Sequence, residues 1–100
     1  MQFSRWEIWN AIVKFEDKPD EAKRRPVLVV GNQEVFILAF KITGTELKKY
    51  RIANWAESGL YKQSYIDCDA VLKLKESDFH EKLGKLHPDD ILNFQKCLRE

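Results

Sequence analysis

Two residues whose chemistry suits a phosphate stand at the ends of two neighbouring apolar segments. Arg25 precedes the run Pro26–Val30, and Thr43 directly follows Ile42, which ends the second run. A guanidinium group stays charged near neutral pH and offers two parallel donors to a phosphate, while a threonine hydroxyl can donate to the same group. If the two side chains meet, the sequence predicts a phosphate-binding site.

The two apolar segments are predicted to form a pair of antiparallel strands. Val27–Val30 and Val35–Ile42 are joined by a short polar turn, Gly31–Glu34, which is typical of a β-hairpin. Pro26 is expected to open the first strand, because proline fits poorly in the centre of a sheet. The outer ends of a hairpin lie together, so the hairpin should bring Arg25 and Thr43 close to each other.

The rest of the chain predicts a mainly β protein with one C-terminal helix. Further strand candidates are Trp6–Phe15, Tyr50–Ile52, Val71–Leu74 after a lead-in at Ser64–Ile66, and Leu83–Leu86. The apolar alternation of the first candidate slips at Trp9–Asn10, which indicates a bulge. Pro88–Leu98 has proline and two acids in its first turn, followed by apolar residues at helical spacing. Several short strands favour a small β-barrel, since closure hides strand edges.

Composition and charge fit a single compact domain over residues 1–100. The apolar share of 44% and the aromatic share of 12% exclude a disordered tail, and this length leaves no room for a second core. The net charge of +1 argues against indiscriminate binding of polyanions. Cations nevertheless outnumber acids from Lys41 to Lys62, which permits a local anion site.

Membrane, export and metal signals are absent from the sequence. No segment approaches the roughly 20 apolar residues of a membrane span, and no apolar run of the signal-peptide type follows Met1–Arg5. Cys68 and Cys97 have no metal-ligand spacing. We therefore expect no membrane association, no metal or other cofactor, a reduced cytoplasmic setting, and cysteines that serve as small core residues.

Five motifs follow one another along almost the whole chain. In order they are Arg24–Val30, Ile42–Thr43, Gly59–Leu60 with Ser64 and Asp67 or Asp69, Leu83–Leu86, and the helical segment Pro88–Leu98. Each motif is common, but the ordered set resembles the MazF/PemK-type toxins of bacterial type II toxin–antitoxin systems. The resemblance implies an SH3-like barrel, a homodimer, metal-independent and sequence-selective cleavage of single-stranded RNA such as mRNA, and a cognate antitoxin.

The resemblance also implies roles for particular residues. The catalytic arginine of the family falls on Arg25 and its catalytic threonine on Thr43. Two positions depart from the pattern: Gly44 stands where the family often has serine, and Ala70 follows Asp69 where many members have glutamine. The first departure bears on a second hydroxyl contact, and the second bears on base selectivity.

Five other residues are candidates for binding RNA. Trp55, in a polar loop, could stack on a base, and Asn54 could read a base edge; equally, Trp55 could cap the barrel or the dimer seam. Arg24 and Lys41 could contact the phosphate backbone, although a cluster of cations is usually a solvated face. Asp69 could accept a hydrogen bond from a base or tie down a turn.

Several alternatives remain open from the sequence. Arg25 could be a surface cation paired with Asp20 or Glu21. His80 and His87 have no predicted catalytic role, and His87 is expected to begin the helix. The whole chain could instead be a non-catalytic SH3-like module that binds nucleic acid or protein, or a toxin of the same fold that inhibits gyrase.

Overall fold

A computed structural model of the chain describes residues 2–14, 22–33, 35–44 and 50–99. Within these ranges lie β1 (Glu7–Lys14), β2 (Ala22–Asn32), β3 (Ile37–Thr43), β4 (Tyr50–Arg51), β5 (Tyr65–Leu74), β6 (Phe79–Lys85) and the helix α1 (Pro88–Arg99). A short 3-10 turn, Glu76–Asp78, joins β5 to β6. The prediction of a mainly β fold with a C-terminal helix is confirmed.

The strands form one curled antiparallel sheet in the order β4-β5-β3-β2-β1-β6. Leu74 of β5 and Phe79 of β6 belong to the same core cluster although three strands separate β5 from β6 in the sheet, so the sheet curls into a barrel-like shape. In the described part of the chain its end strands do not pair with each other, and the expected full closure is therefore wrong. A Cβ atom at Gly84 of β6 would lie 2.3 Å from the carbonyl oxygen of Ser58. The loop after β4 thus covers the β6 end instead.

Alternate residues of the central strands fill two cores. Trp9 and Val27 face one core, whereas their neighbours Ile8 and Leu28 face the core beneath α1, as the two-residue period of a strand requires. Phe94 of α1 is fully buried in this second core, where burial of one aromatic side chain contributes about 2–3 kcal/mol. The helix is thereby held against one face of the sheet.

Pro26 does not open β2 as predicted but lies inside it. β2 starts at Ala22, and the pairing explains how the strand accepts a proline. Pro26 faces Asn10 of β1, whereas the ladder with β3 begins only at Val27, opposite Lys41. At Pro26 the strand therefore has a strand neighbour on one side, which is the edge-like environment that proline tolerates.

The sheet has one bulge on β2, at Val30, and further irregularities on β5 and β6. Along β3 the single residue Phe40 faces four residues of β5, 68–71, because Ala39 pairs with Leu72 and Lys41 with Asp67. The expected irregularity at Trp9–Asn10 is present as a register shift on each side of that pair, but the extra residues belong to β6. The slip in the apolar alternation of β1 therefore marked the position of the irregularity but not the strand that carries the extra residues.

Helix α1 begins at the predicted proline, and His87 stabilises its start. The Nδ1 atom of His87 accepts a hydrogen bond from the backbone N–H of Asp89 at 3.1 Å, and its carbonyl oxygen accepts one from Ile91 at 2.9 Å. A residue just before a helix typically satisfies its first N–H groups in this way. The interpretation of His87 as the residue that begins the helix is confirmed.

Asp90 anchors the first turn of α1 to the loop after β4. Its fully buried carboxylate accepts hydrogen bonds from the hydroxyl of Tyr50 (2.6 Å), the backbone N–H of Ala53 (3.0 Å), and the backbone and side-chain amides of Asn54 (2.8 and 3.1 Å). Burial alone would raise the pKa of Asp90, but these hydrogen bonds outweigh it and hold the pKa below its ordinary value. Burial and the bond to Asp90 raise the pKa of Tyr50. We call this network the Asp90 anchor.

Candidate active site

A cleft of about 160 Å³ opens where β2 and β3 part. Their ladder ends at the pair Val27–Lys41, beyond which β2 continues beside β1 and β3 continues beside β5. Continuing the same register for two more residues would set Arg25 opposite Thr43. Both residues line the cleft, and the hairpin therefore brings the two predicted groups to one site.

The cleft is positively charged. Four cations line it, Lys23, Arg24, Arg25 and Lys62, and no acidic side chain is among its described lining residues. In a concave site with low-dielectric walls, such an excess concentrates anions locally even though the protein as a whole is nearly neutral. The electrostatics of the cleft thus favour a phosphate-bearing ligand.

Arg25 and Thr43 are both half-buried in the cleft wall. The Nε atom of Arg25 is shielded from solvent, and Thr43 is held in the ladder opposite Tyr65 of β5. A donor in such partly dehydrated surroundings interacts more strongly with an anion than it would in water. Asp20 and Glu21, the alternative partners considered for Arg25, lie outside the described residues.

Comparison with known proteins decides the family. The model of a family described as PemK-like, MazF-like toxin of type II toxin–antitoxin systems matches residues 4–100. The chain belongs to this toxin family. Among solved structures, the Mycobacterium tuberculosis toxin MazF-mt6 is similar, with a TM-score of 0.71 over 92% of this chain and 91% of that chain at 19% sequence identity. That likeness shows the MazF fold, whereas a comparison with curated protein sequences finds no match.

Of the five predicted RNA-binding residues of this MazF-like chain, Arg24 lines the cleft. Lys41, Asn54, Trp55 and Asp69 are not among its lining residues, and their part in RNA binding stays a prediction. Lys41 lies 3.8 Å from the carboxylate of Asp67.

Asn54, Trp55 and Asp69 have structural surroundings of their own. The side chain of Asn54 belongs to the Asp90 anchor, and Trp55 packs against the core beneath α1. Asp69 is exposed on β5, where its backbone N–H donates to Asp67 at 3.2 Å. The packing of Trp55 corresponds to the capping alternative that the sequence leaves open for it, whereas the turn at Asp69 uses the carboxylate of Asp67 and leaves both alternatives for Asp69 as predictions.

The cleft also contains residues that the sequence did not single out. Tyr61 and Lys62 approach it from the segment that follows the loop after β4, beside Ser64, which belongs to one of the five motifs. Two signals pointed to this segment, the excess of cations between Lys41 and Lys62 and the motif Gly59–Leu60 with Ser64. The spacing of residues could not predict that this segment lies at the cleft, because the segment is brought beside β3 only by the pairing of β3 with β5.

The two cysteines differ in their surroundings. Cys68 is half-buried against the core beneath α1, and burial raises the pKa of its thiol, with a smaller contribution from nearby Cys97. Cys97 is exposed, so its predicted place in the core is wrong. Cys97 lies in the last turn of α1, where residues 96–98 are all exposed, so this turn extends beyond the core that the helix covers.

The described residues contain neither a cluster of metal-ligating side chains nor a membrane-spanning helix. Among them, no group of three or more His, Cys, Asp or Glu side chains is arranged to hold a metal ion. The helix of the described chain is too short and too polar to cross a membrane.

Proposed function

We propose that this member of the MazF-like family is an endoribonuclease toxin that cleaves single-stranded RNA, including mRNA, without a metal ion. One observation carries the proposal: Arg25 and Thr43 line the same cleft, and its described lining holds four cations and no acid. The family supports a toxin of this kind, and the charge of the cleft supports a phosphodiester as the group it holds.

The proposed reaction uses the substrate's own 2′-hydroxyl as the nucleophile. Its oxygen bonds to the adjacent phosphorus while the bond from phosphorus to the 5′-oxygen breaks, leaving a 2′,3′-cyclic phosphate and a 5′-hydroxyl. The 2′-hydroxyl loses a proton and the departing 5′-oxygen gains one. Negative charge builds on the non-bridging oxygens meanwhile, and the enzyme must stabilise that charge.

Arg25 and Thr43 are the groups proposed to stabilise it. The planar guanidinium of Arg25 can donate two parallel hydrogen bonds to the phosphate oxygens, and Thr43 can donate a third. Donors fixed in place before the reaction contribute about 3–4 kcal/mol each to such a transition state. We assign Arg25 no proton transfer, because a guanidinium does not lose its proton near neutral pH.

A cognate antitoxin, a homodimer and a cytoplasmic setting belong to the same proposal. All three rest on membership of the toxin family. An antitoxin segment that occupied the cleft would compete with RNA for Arg24, Arg25 and Lys62.

Incubation of the purified protein with single-stranded RNAs of many sequences, in excess chelator, tests the proposal. We expect discrete fragments that end in a 2′,3′-cyclic phosphate, identified by mass spectrometry. Arg25→Ala should slow cleavage by about 100- to 1000-fold while the protein keeps its fold, checked by a cooperative unfolding transition. Lys73→Gln, which removes an exposed cation from β5 outside the cleft, should cleave normally.

Other outcomes would point to the other candidate functions. RNA that stays intact across many sequences contradicts the nuclease proposal, and normal cleavage by Arg25→Ala contradicts the site. RNA or antitoxin binding without turnover would favour a non-catalytic module. Inhibition of gyrase without RNA cleavage would favour a gyrase-directed toxin of the same fold.

A further inference from the structure

Tyr61 is the most exposed large apolar side chain of the described chain. Its exposed fraction is 81%, and it lies at the wall of the cleft. An aromatic ring in this position is not used for packing, although burial would release water from it. An exposed ring beside a cationic groove is the arrangement on which single-stranded nucleic acids stack their bases.

The ammonium group of Lys62 lies between Tyr61 and the end of β3. Its Nζ atom is 5.7 Å from the centre of the Tyr61 ring. It is also 3.1 Å from the position that a Cβ atom would take at Gly44, the residue next to Thr43. A side chain at position 44 would crowd the ammonium group, which would have to shift by a few tenths of an ångström, so Gly44 leaves room for a cation beside the threonine.

The backbone that carries Tyr61 and Lys62 is fixed on both sides. Before it, Gly59 has a φ of +90°, and a Cβ atom there would lie 2.0 Å from the carbonyl oxygen of Leu83, so this turn requires glycine. After it, buried Ser64 donates its hydroxyl to the carbonyl oxygen of Lys62 at 3.0 Å. A segment held in this way presents its side chains with little loss of backbone entropy on binding.

We propose that Tyr61 and Lys62 form a nucleotide subsite at the mouth of the cleft. Tyr61 stacks on an unpaired base of single-stranded RNA, and Lys62 binds the backbone phosphate next to Thr43. The subsite rests on the proposed nuclease function and deepens it, because it specifies the groups that hold the strand beside Arg25. Stacking accepts any base and requires that base to be unpaired, so the subsite selects single strands over duplexes.

Binding of a strand that cannot be cleaved tests the subsite separately from catalysis. The probe is a short, fluorescein-labelled single strand of mixed sequence with 2′-deoxy sugars, which lacks the proposed nucleophile, and its anisotropy is followed with increasing salt. Tyr61→Ala should weaken binding by roughly 5- to 150-fold, whereas Tyr61→Phe should keep most of the affinity. Lys62→Gln should weaken binding and also lower the slope of log K against log salt by about 0.7.

The two variants therefore have different signatures. Tyr61→Ala should leave the salt slope unchanged, because it removes no phosphate contact, and Lys73→Gln should bind as the wild type does. Tyr61 and Lys62 are both exposed, so unchanged unfolding temperatures should accompany these effects. A purely structural role would change the unfolding temperature and not the salt slope.

Failure of the subsite and failure of the nuclease proposal give different results. If the wild type cleaves RNA but Tyr61→Ala and Lys62→Gln bind and cleave as it does, the subsite is wrong and the nuclease stands. If the strand binds with the expected dependence on both residues but no RNA is cut, the subsite stands and the nuclease is wrong. If the wild type binds duplex as tightly as single strand, or binds no strand at low salt, the subsite is overturned.

Discussion

The Asp90 anchor and the cleft lie at opposite ends of the segment 53–64, and their charges are handled in opposite ways. In the anchor, one buried carboxylate accepts four hydrogen bonds of 2.6–3.1 Å from groups of the protein itself. In the cleft, four cations share a wall that has no acidic side chain among its described residues. A buried carboxylate that accepts several hydrogen bonds stabilises the fold, whereas an excess of cations in a concave cleft concentrates an anionic ligand there. Substitutions in the two regions should therefore separate stability from activity.

Asp90→Ala should produce the largest change in stability. It leaves the hydroxyl of Tyr50 and the N–H groups of Ala53 and Asn54 without their acceptor, and we expect a loss of about 3–5 kcal/mol in the free energy of unfolding, measured with urea. Asp89→Ala is the matched control, because the neighbouring carboxylate is exposed and contributes only about 0.3–1 kcal/mol through the helix dipole. Equal losses for the two variants would contradict the anchor.

Gly59→Ala should cost about 3 kcal/mol or more. The added methyl group meets the carbonyl of Leu83, and alanine is strained at a φ of +90°. Gly31→Ala provides the comparison, since a Cβ there meets only Leu38, at an ordinary contact distance of 3.4 Å. Because Gly59 precedes Tyr61 and Lys62, the folded fraction of Gly59→Ala should also bind RNA less well. Unchanged stability would show that this turn does not hold the segment in place.

Thr43→Val should affect the cleft and spare the fold. Valine has nearly the same shape and suits a strand, so the unfolding free energy should stay within about 0.5 kcal/mol of wild type. Loss of a hydroxyl that donates to the phosphate in the transition state should slow RNA cleavage by about 100- to 1000-fold, and Thr43→Ser should retain most of the rate. A Thr43→Val variant that is less stable but cleaves RNA normally would show that the Thr43 hydroxyl serves the fold and not the reaction.

Acidification should lower the free energy of unfolding by less than Asp90→Ala does. The pKa of Asp90 is held below its ordinary value by hydrogen bonds that outweigh the opposite effect of burial. The same holds for Glu7 of β1, outside the anchor, whose carboxylate accepts hydrogen bonds from the backbone N–H of Ser4 and the indole N–H of Trp9. Stability from such groups is complete above the unfolded pKa, near 4, and is lost as the pH falls through the folded pKa. The urea midpoint should thus fall on acidification, and less steeply in Asp90→Asn. A midpoint that rose as the pH fell would contradict both assignments.

The local elements of the fold were largely predictable. The hairpin, the helix from Pro88 and the role of His87 all depend on neighbouring residues, whose periods of two and about 3.6 are visible in the sequence. The errors have tertiary causes. Pro26 was misplaced because the sequence does not reveal where β2 loses its β3 neighbour, and closure was expected although the loop after β4 covers the end of the sheet.

The candidate site was predictable only in part. Arg25 and Thr43 share the cleft because each lies two residues beyond Val27–Lys41, the last pair of one hairpin, which is a local relation. Asn54 and Trp55 were proposed as RNA contacts because they lie in a polar loop, but neither lines the cleft. Asn54 binds Asp90, 36 residues away along the chain, and no short-range pattern marks that pairing.

By itself the sequence determined which residues alternate into the sheet, where the helix begins, and that a guanidinium and a hydroxyl lie at the same end of one hairpin. Only the tertiary structure decided that Lys62 fills the space beside Gly44, that Tyr61 stands exposed at the cleft, and that Asp90 is the residue that anchors the helix. The physical reason is the range of the interactions: backbone periodicity acts over a few residues, whereas the bulges of β5 and β6 and the curl of the sheet set which distant side chains meet.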